Sequence, residues 1–230
     1  MPPAGKPAGG SAKGRAKRRK TAARLFKFDR ELGHRFVAGA DEAGRGSLAG
    51  PLAAAAVLLD YGRLTTREIR ALTHLDDSKV HDIEQRETLF PLVMRTAVRV
   101  AVTSRCVRGI DERGLHVTNL AALRDTLKRV AVPGCICLVD GFRVGDVGHP
   151  QQAVIDGDAR SAAIAAASVV AKVTRDRYMQ CIADELPGWH FDTNVGYSTP
   201  EHRAAIAQNG ISALHRRSFQ SIAYQQLAIT

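Results

Sequence analysis

Residues 36–59 read FVAGADEAGRGSLAGPLAAAAVLL, in which two apolar runs flank a charged, glycine-rich segment. The two runs predict neighbouring strands, and the segment from Asp41 to Gly46 predicts the turn that joins them. Adjacent side chains of an extended strand point to opposite faces of a sheet. Asp41 and Glu42 are therefore expected to serve one site only where the first strand breaks into this turn.

The rest of the chain continues the pattern of apolar strands and amphipathic helices. Residues 135–139 are apolar at every position, which is typical of a central strand covered by helices on both faces. The pattern predicts, in order, a charged helical region after the second strand, a strand over 97–107, a helix over 117–130, the central strand, a strand over 152–155, a helix over 161–186 and a helix from Pro200. This order predicts an α/β protein with a mixed sheet flanked by helices and a helical C-terminal extension.

Length and charge indicate the class of protein. The chain has 230 residues, 45% of them hydrophobic, which suits one globular domain, predicted here over residues 33–222. Basic residues exceed acidic ones by ten, which favours a polyanionic partner such as nucleic acid, with a membrane surface as the alternative. Residues 1–20 hold seven basic residues and no acid, so a disordered tail is predicted over residues 1–25. The tail is interpreted as a nucleic-acid tether, a solubilising leader or an organelle transit peptide.

The sequence favours a cytoplasmic protein without a membrane partner. No secretory leader core precedes the domain, and no apolar run approaches the ~18 residues that a membrane-spanning helix needs. The four cysteines lack C-x-x-C spacing, and two of them lie in an apolar strand. Buried reduced thiols are therefore favoured over a disulfide or a zinc site.

Acidic residues stand at the ends of three predicted strands. Asp41 and Glu42 close the first, Asp140 closes the fourth, and Asp158 follows the fifth. Groups at strand ends of an open α/β sheet converge on a common crevice, so these carboxylates are expected to meet. Two carboxylates about 4 Å apart repel by about 4 kcal/mol at an effective dielectric of about 20, unless their pKa values rise or cations lie between them. All-oxygen ligands favour Mg²⁺ or Mn²⁺ over zinc.

A carboxylate site of this kind suits phosphodiester hydrolysis. A pair of divalent ions about 4 Å apart stabilises the attacking and leaving oxygens of an in-line displacement. The sequence shows no serine or cysteine nucleophile with a partnered histidine, which argues against acyl transfer. Beside the acids, Gly44 and Gly46 would let the backbone approach a sugar–phosphate closely, and Arg45 adds positive charge. Such a turn can sense a ribose 2′-hydroxyl, the group that separates RNA from DNA.

Several motifs in a fixed order carry a family resemblance. They are ADEAGRGxxAGP from Ala40, DSK from Asp77, VDG from Val139, GDxxSxxIAAASVVAKVxRD from Gly157, GYxTxxH from Gly196 and HRRSF from His215. Over residues 35–220 the chain resembles ribonuclease HII, the bacterial type 2 ribonuclease H. The resemblance implies a ribonuclease H-like fold, cleavage of RNA in RNA–DNA hybrids, and incision on the 5′ side of single ribonucleotides in duplex DNA, leaving a 3′-hydroxyl and a 5′-phosphate.

The resemblance also implies which residues carry the chemistry. The catalytic acids that bind Mg²⁺ or Mn²⁺, with two ions during catalysis, would be Asp41, Glu42, Asp140 and Asp158. RNA–DNA hybrids and ribonucleotide-containing duplex DNA would be the partners of a monomeric enzyme. The substrate contacts would be Gly44, Arg45 and Gly46 at the ribose of the RNA-to-DNA junction, Tyr197 at the sugar of the next deoxynucleotide, and Ser78 and Lys79 at phosphates. On the long helix, Lys172 and Arg175 would touch the nucleic-acid backbone or pair with acids.

Three positions depart from the family pattern. Asp156 precedes the Gly-Asp pair and Val195 precedes the Gly-Tyr pair, where lysine is usual in both cases, and Val80 follows the DSK motif in place of a second lysine. Arg45 favours ribonuclease HII over the related ribonuclease HIII, which usually has threonine there.

Two rival functions remain open, and so does the role of the C-terminus. One rival is another two-metal nuclease, such as a junction resolvase, on the same sheet; it would be indifferent to a 2′-hydroxyl. The other is a basic nucleic-acid-binding protein with structural acids. Residues 226–229 faintly resemble a sliding-clamp peptide, although a frayed helix end is the favoured interpretation.

Overall fold

The fold is built on a five-stranded mixed sheet, seen in a computed structural model that describes residues 23–75 and 83–219. Its strands are β1 (Phe36–Ala43), β2 (Leu52–Asp60), β3 (Arg99–Arg105), β4 (Cys135–Asp140) and β5 (Gln151–Val154). The order across the sheet is β3-β2-β1-β4-β5. The first three strands pair antiparallel, whereas β4 pairs parallel with β1 and β5 pairs parallel with β4. The predicted mixed α/β sheet is confirmed.

Helices cover both faces of this sheet. They are α1 (residues 23–31), α2 (Thr66–Ala71), α3 (Ile83–Thr96), α4 (Val107–Arg113), α5 (Leu115–Val130), α6 (Ala162–Glu185), α7 (Phe191–Asn194) and α8 (Pro200–Asn209). A 3₁₀ turn (Gly157–Ala159) connects β5 to α6. The long predicted helix therefore begins one residue later than expected, because the Ser161 side chain caps it by accepting a hydrogen bond from the Ile164 amide.

The two faces of the sheet have separate hydrophobic cores. On one face α1, α3 and α6 pack against the odd-numbered side chains of β1, represented by Val37. On the other face α5 packs its Leu123, Leu127 and Val130 against even-numbered positions such as Ala38. The alternation follows from the two-residue period of a strand. It also fixes the faces of the next residues along β1, where the candidate site begins.

The folded part begins earlier than the sequence indicated. Residues 23–31 are helical, and Leu25 and Phe26 are fully buried in the core on the α6 face. The domain start predicted at residue 33 is therefore too late, because a short amphipathic helix at the end of a basic segment gives little periodic signal. The disordered tail is predicted over residues 1–25. Residues 1–22 of it lie outside the described residues, whereas residues 23–25 are helical, so the prediction is wrong for these three positions.

The four cysteines are free, as expected, but only two of them are buried. Cys135 and Cys137 lie within β4, whereas Cys106 and Cys181 are exposed. The prediction that all four are buried is wrong, since the latter two stand at a helix N-cap and on the outer side of α6. Across residues 23–75 and 83–219, the structure contains no helix that is both long and apolar enough to span a membrane.

Candidate active site

A pocket of about 380 Å³ opens at the ends of the central strands. All four predicted acids line it: Asp41, Glu42, Asp140 and Asp158. Pairing between β1 and β4 ends at Ala40 opposite Val139, so the next residues of the two strands, Asp41 and Asp140, stand where the strands part. The expected convergence of the acids on one crevice is thus found in the structure. Their role as metal ligands remains a prediction.

Asp41 and Glu42 reach this pocket from opposite faces of β1. Both lie inside the strand, paired with Ala55 and Ala54 of β2, so the expectation that the strand breaks before them is wrong. The Asp41 carboxylate accepts a hydrogen bond from the Ser168 hydroxyl on α6, whereas Glu42 is hydrogen-bonded by Asn119 on α5. The two carboxylates share one pocket because the pairing of β1 with β4 has ended beside them, which leaves the edge of β1 open on that side.

Asp140 is oriented by the turn that carries Asp158. The Gly157 amide donates a hydrogen bond of 2.6 Å to Asp140 Oδ1. A Cβ built on Gly157 would lie 3.0 Å from that oxygen and 2.6 Å from Ile164 Cδ1, so the glycine permits the close approach. Asp158 itself is 5% exposed. Asp156, the departure from the family pattern, is exposed in a left-handed conformation and does not line the pocket.

Burial and the charges of neighbouring carboxylates disfavour the ionised forms of Asp41 and Glu42. Burial raises the pKa of Asp41 well above its usual value, and the charges of Glu42 and Asp140 raise it further. Burial also raises the pKa of Glu42, against the opposing effects of the Asn119 hydrogen bond and the Arg45 charge. Clustered carboxylates whose charged forms are disfavoured in this way are stabilised by a cation placed among them.

The donor set suits a hard divalent cation, although its geometry is not preformed. Four carboxylates supply only oxygen ligands, the set that Mg²⁺ and Mn²⁺ prefer. Within the described ranges, no three His, Cys, Asp or Glu side chains are already spaced to hold a metal ion. Two of the carboxylates are instead turned to main-chain donors, since Asp41 Oδ1 accepts the Glu42 amide at 2.7 Å and Asp140 Oδ1 accepts the Gly157 amide. Rotation of these short side chains is the adjustment that metal binding would require.

The Gly44-Arg45-Gly46 loop forms one wall of the pocket and is fixed by two buried arginines. Arg175 on α6 donates to the carbonyls of Ala49, Pro51 and Val195 at 2.9–3.0 Å. Arg216, from the HRRSF motif, donates to the carbonyls of Arg45 and Gly50. Their positive charges are taken up by main-chain oxygens of residues 45–51 and of Val195, so hydrogen bonds from two distant helical and loop segments hold the irregular stretch that follows β1. Arg175 therefore acts as a scaffold residue: its guanidinium bonds main-chain carbonyls, and the charge of the adjacent Asp176 interacts favourably with it.

Arg45 itself points along the pocket wall. Its Nη1 lies 3.7 Å from Glu42 Oε1, and its guanidinium carbon lies 5.8 Å from the centroid of the Phe142 ring. The phenyl ring is about half exposed and directly follows Asp140-Gly141. The carboxylate and the ring hold the guanidinium at the pocket mouth.

Tyr197 faces the pocket from a loop that is tied to the glycine loop. The Gly196 carbonyl accepts the amides of Leu48 and Ala49 at 2.8 and 3.2 Å. A Cβ on Gly196 would come within 2.3 Å of the Ala49 carbonyl oxygen, so only glycine permits this contact. The two loops are therefore joined by main-chain hydrogen bonds and close packing, with Tyr197 next to the junction.

A pair of buried histidines supports the Tyr197 loop from behind. His202 Nδ1 donates to the Tyr197 carbonyl at 2.8 Å, and its Nε2 lies 3.1 Å from His215 Nε2. His215 Nδ1 accepts the Ser212 amide at 2.9 Å. These partners assign both rings as neutral, with His215 Nε2–H donating to His202 Nε2. Burial lowers the pKa of His202 and lowers that of His215 to about 4, in agreement with the neutral assignment.

Several lining or supporting residues were not predicted. They are Arg86 on α3, Ser168 on α6, Asn119 on α5 and Gly157. Asn119 gave a usable signal, because it occupies the same helical stripe as Leu123 and Leu127, where an apolar residue is expected. Ser78 and Lys79, the predicted phosphate contacts, and residues 226–229 lie outside the described residues.

Solved structures define the class to which this fold belongs. The ribonuclease H2 of Pyrococcus horikoshii OT3 matches with a TM-score of 0.68 at 24% identity, covering 84% of this chain and 96% of that chain. A Bst-RNase HIII solved in complex with Mn²⁺ matches with a TM-score of 0.67 at 18% identity, covering 91% and 72%. The mixed sheet flanked by helices is therefore the fold of the type 2 ribonuclease H class.

Sequence comparison gives the family. The family model for ribonuclease HII matches residues 38–222. A ribonuclease HII of Rhizobium johnstonii is 45% identical over 194 residues, which cover 84% of this chain and 81% of that protein. The chain belongs to the ribonuclease HII family, as its motifs indicated. It is a nuclease of the hydrolase class, and the activity of its family is metal-dependent endonucleolytic cleavage of the RNA in RNA–DNA hybrids.

Proposed function

We propose that this protein also incises duplex DNA on the 5′ side of a single embedded ribonucleotide, with two Mg²⁺ or Mn²⁺ ions held by Asp41, Glu42, Asp140 and Asp158. The supporting observation is that these four acids, the Gly44–Gly46 loop and Tyr197 line one pocket. The groups proposed for cutting and the groups proposed for recognition are thus within reach of the same few nucleotides.

The four carboxylates would hold the ions at the strand ends. When bound, a pair of divalent ions would supply electrostatic stabilisation to the attacking and leaving oxygens of the phosphodiester. The contribution of the chain is to hold the carboxylates in place: Ser168 orients Asp41, Asn119 orients Glu42, and the Gly157 amide orients Asp140. Breaking the bond on the 5′ side of the ribonucleotide would leave a 3′-hydroxyl and a 5′-phosphate.

Recognition of the ribonucleotide would come from the Gly44–Gly46 loop. Gly46 is exposed at the pocket mouth, and a Cβ there would meet no atom of the protein within 4 Å. The backbone of this loop can therefore approach a sugar closely, and a 2′-hydroxyl offers both a donor and an acceptor to it. Tyr197 would pack against the sugar of the next deoxynucleotide. Because Arg175 and Arg216 fix the loop, the fit to a ribose is pre-organised.

The experiment uses a labelled duplex with one internal ribonucleotide, incubated with Mg²⁺ or Mn²⁺. The full-length protein should nick only on the 5′ side of the ribonucleotide and leave an all-DNA duplex intact. Asp41→Asn and Asp140→Asn should lower the rate by about 10³-fold or more, since several kcal/mol of charge stabilisation are removed. Calorimetry should show weaker Mn²⁺ binding by both variants.

The other outcomes would contradict this proposal in distinguishable ways. Cutting of the all-DNA strand would indicate a two-metal nuclease that ignores the 2′-hydroxyl. Cleavage of a long RNA–DNA hybrid without incision at a single ribonucleotide would restrict the protein to hybrids. Full activity of Asp140→Asn would show that catalysis does not depend on this carboxylate and would contradict the proposed role of the acids.

A further inference from the structure

An exposed aromatic side chain lies at the pocket mouth, directly after one of the four acids. Phe142 follows Asp140 and Gly141 in the chain and is 51% exposed. The turn that carries it is fixed by the main chain. The Gly141 amide donates to the Val154 carbonyl at 3.0 Å, and the Phe142 amide donates back to the Asp140 carbonyl at 2.9 Å. A single exposed apolar side chain is ordinary on a protein surface, so its surroundings decide whether it has a role.

Two neighbouring side chains restrict the Phe142 ring. The imidazole of His116, at the start of α5, meets it edge to face, with the centroids 5.5 Å apart and an interplanar angle of 83°. The guanidinium carbon of Arg45 lies 5.8 Å from the centroid of the phenyl ring. An aromatic pair in this geometry and a nearby cation both favour one orientation of the ring. Phe142 therefore presents an ordered apolar surface, which loses little conformational entropy when a ligand covers it.

Phe142 and Tyr197 lie on opposite sides of the acids. The Tyr197 ring lies beside α6, because the ammonium of Lys172 is 4.6 Å from its centroid, and α6 covers one face of the sheet. Phe142 is joined through His116 to α5, which covers the other face. The two acids of β1 are bonded from α6 and from α5 in the same way, so they lie between the two rings.

We propose that Phe142 packs against the sugar of the nucleotide on the 5′ side of the scissile phosphodiester. The inference rests on the proposed function, in which the scissile bond lies at the acids, the ribose at the Gly44–Gly46 loop and the next deoxyribose at Tyr197. A strand that continues past the acids in the opposite direction would pass Phe142. The bases of a duplex are stacked on one another, so the sugar is the apolar surface that a ring outside the helix can reach.

This contact would position the strand without testing its chemical type. The CH groups of the sugar ring are common to ribose and deoxyribose, whereas only the 2′-hydroxyl separates the two. Phe142 would therefore accept either nucleotide on the 5′ side, while discrimination stays with the Gly44–Gly46 loop. Together with Tyr197, it would hold the strand on both sides of the bond to be cut.

The test couples Phe142 to single sugars of the substrate. Duplexes with one internal ribonucleotide carry one modified nucleotide at a time. A tetrahydrofuran residue removes the base, and a propanediol spacer removes both base and sugar ring. The value of kcat/KM for nicking is measured for full-length wild type and Phe142→Ala, and the ratio of the two proteins is taken on each substrate. Any effect of the modification on the leaving group cancels in this ratio.

The ratio should depend on one sugar. On the unmodified duplex, Phe142→Ala should lower kcat/KM about fivefold, because the exposed half of the ring no longer finds an apolar partner. With propanediol immediately 5′ of the ribonucleotide, the two proteins should have equal kcat/KM. Tetrahydrofuran at that position, and propanediol two or more nucleotides to the 3′ side, should preserve the fivefold difference. Phe142→Tyr should restore the wild-type values, since the ring is kept.

A matched control lies on the same edge of the sheet. Ile155 directly follows β5, is 72% exposed, and is outside the set of residues that line the pocket. Ile155→Ala removes an exposed apolar side chain of similar size, so it should leave kcat/KM within about twofold of wild type on every substrate. Equal losses in Phe142→Ala and Ile155→Ala would overturn the proposed contact.

The remaining outcomes separate this contact from its alternatives and from the proposed function. A fivefold effect that persists with propanediol 5′ of the ribonucleotide would show that the ring does not touch this nucleotide, and loss of the effect with tetrahydrofuran would place the ring on a base. An effect that vanishes in an Arg45→Ala background would mean that Phe142 acts only by positioning Arg45. If wild type nicks at the ribonucleotide but no position couples, the proposed function stands and the contact fails. If wild type does not nick there, the proposed function fails and the contact fails with it.

Discussion

The backbone of Ala163 on α6 lies directly against Gly39 on β1. A Cβ built on Gly39 would come within 2.2 Å of the Ala163 carbonyl carbon and 2.3 Å of the Ile164 nitrogen. Helix α6, which carries Ser168 and Lys172, thus packs directly against β1 at Gly39. This contact lies two residues before Asp41 in the strand. A glycine in the first strand therefore decides how closely the supporting helix approaches the candidate site.

Substitution of Gly39 should be severely destabilising. In Gly39→Ala the new methyl group meets main-chain atoms of α6, which cannot rotate away, so the helix must shift from the sheet. We expect a loss of about 3 kcal/mol or more in the free energy of unfolding, measured by urea denaturation. Gly46→Ala is the control, because its Cβ would enter open space. Near-wild-type stability of Gly39→Ala would show that α6 is not pressed onto β1 at this point.

The two glycines around Arg45 should respond differently to alanine. Gly46→Ala should leave stability within about 1 kcal/mol of wild type, since neither a clash nor a positive φ opposes it, yet should slow nicking at a ribonucleotide about tenfold or more by placing a methyl group against the sugar. Gly44→Ala should destabilise the fold, because Gly44 has φ of 86° and its Cβ would lie 2.0 Å from Arg175 Nε. Thermal unfolding and single-turnover nicking measure the two effects. Unimpaired nicking by Gly46→Ala would reject close backbone approach at that position.

Neutralising Asp41 should stabilise the protein while it removes activity. Asp41 is buried beside Glu42 and Asp140, and these conditions disfavour its charged form. In the presence of a metal chelator, Asp41→Asn should raise the free energy of unfolding by about 1 kcal/mol, because an amide can keep the Glu42 amide contact without the charge. Added Mn²⁺ should stabilise wild type more than the variant. A less stable Asp41→Asn under chelation would contradict the repulsion described for the acids.

The histidine pair should make stability fall at acidic pH. His215 has a pKa of about 4 in the folded protein, below its ordinary 6.5, so the unfolded chain takes up the proton first as the pH falls. The neutral His215 ring therefore contributes its full share to the free energy of unfolding above pH 6.5. This contribution falls as the pH decreases towards 4, by at most about 3 kcal/mol. Asp29 has the opposite effect on stability, because burial raises its pKa to about 6 in the folded state. The folded protein therefore takes up this proton before the unfolded chain does as the pH falls, which raises the free energy of unfolding.

Comparison with His215→Gln isolates the histidine contribution from that of Asp29. The stability difference between wild type and variant should be largest near pH 7 and should shrink by pH 4.5, as followed by urea denaturation at each pH. A difference that stays constant over this range would show that the His202–His215 contact does not exclude the proton.

Part of the candidate site could be predicted from the sequence, because its acids follow directly after apolar runs that form strands. Apolar runs predict strands, and polar residues that end such runs fall at the edge of a sheet, so the pattern alone assigns Asp140 and Asp158 to the crevice. The break expected before Asp41 was wrong, because β1 remains paired with β2 through Asp41, Glu42 and Ala43. Ser168 and Arg86 carried too little local signal, because their roles depend on which elements pack beside them, whereas Asn119 was recognisable as a polar residue in an apolar helical stripe.

The sequence by itself determined the succession of the five strands and of the longer helices, the placement of acids at the edge of the sheet and the family, because periodicity and motifs are properties of neighbouring residues. Only the tertiary structure decided how the pocket is held together. Arg216 bonds the carbonyl of Arg45 across 171 positions, and Arg175 bonds that of Ala49 across 126. A buried guanidinium finds its acceptors by the packing of distant segments, and no pattern along the chain records which carbonyls those will be.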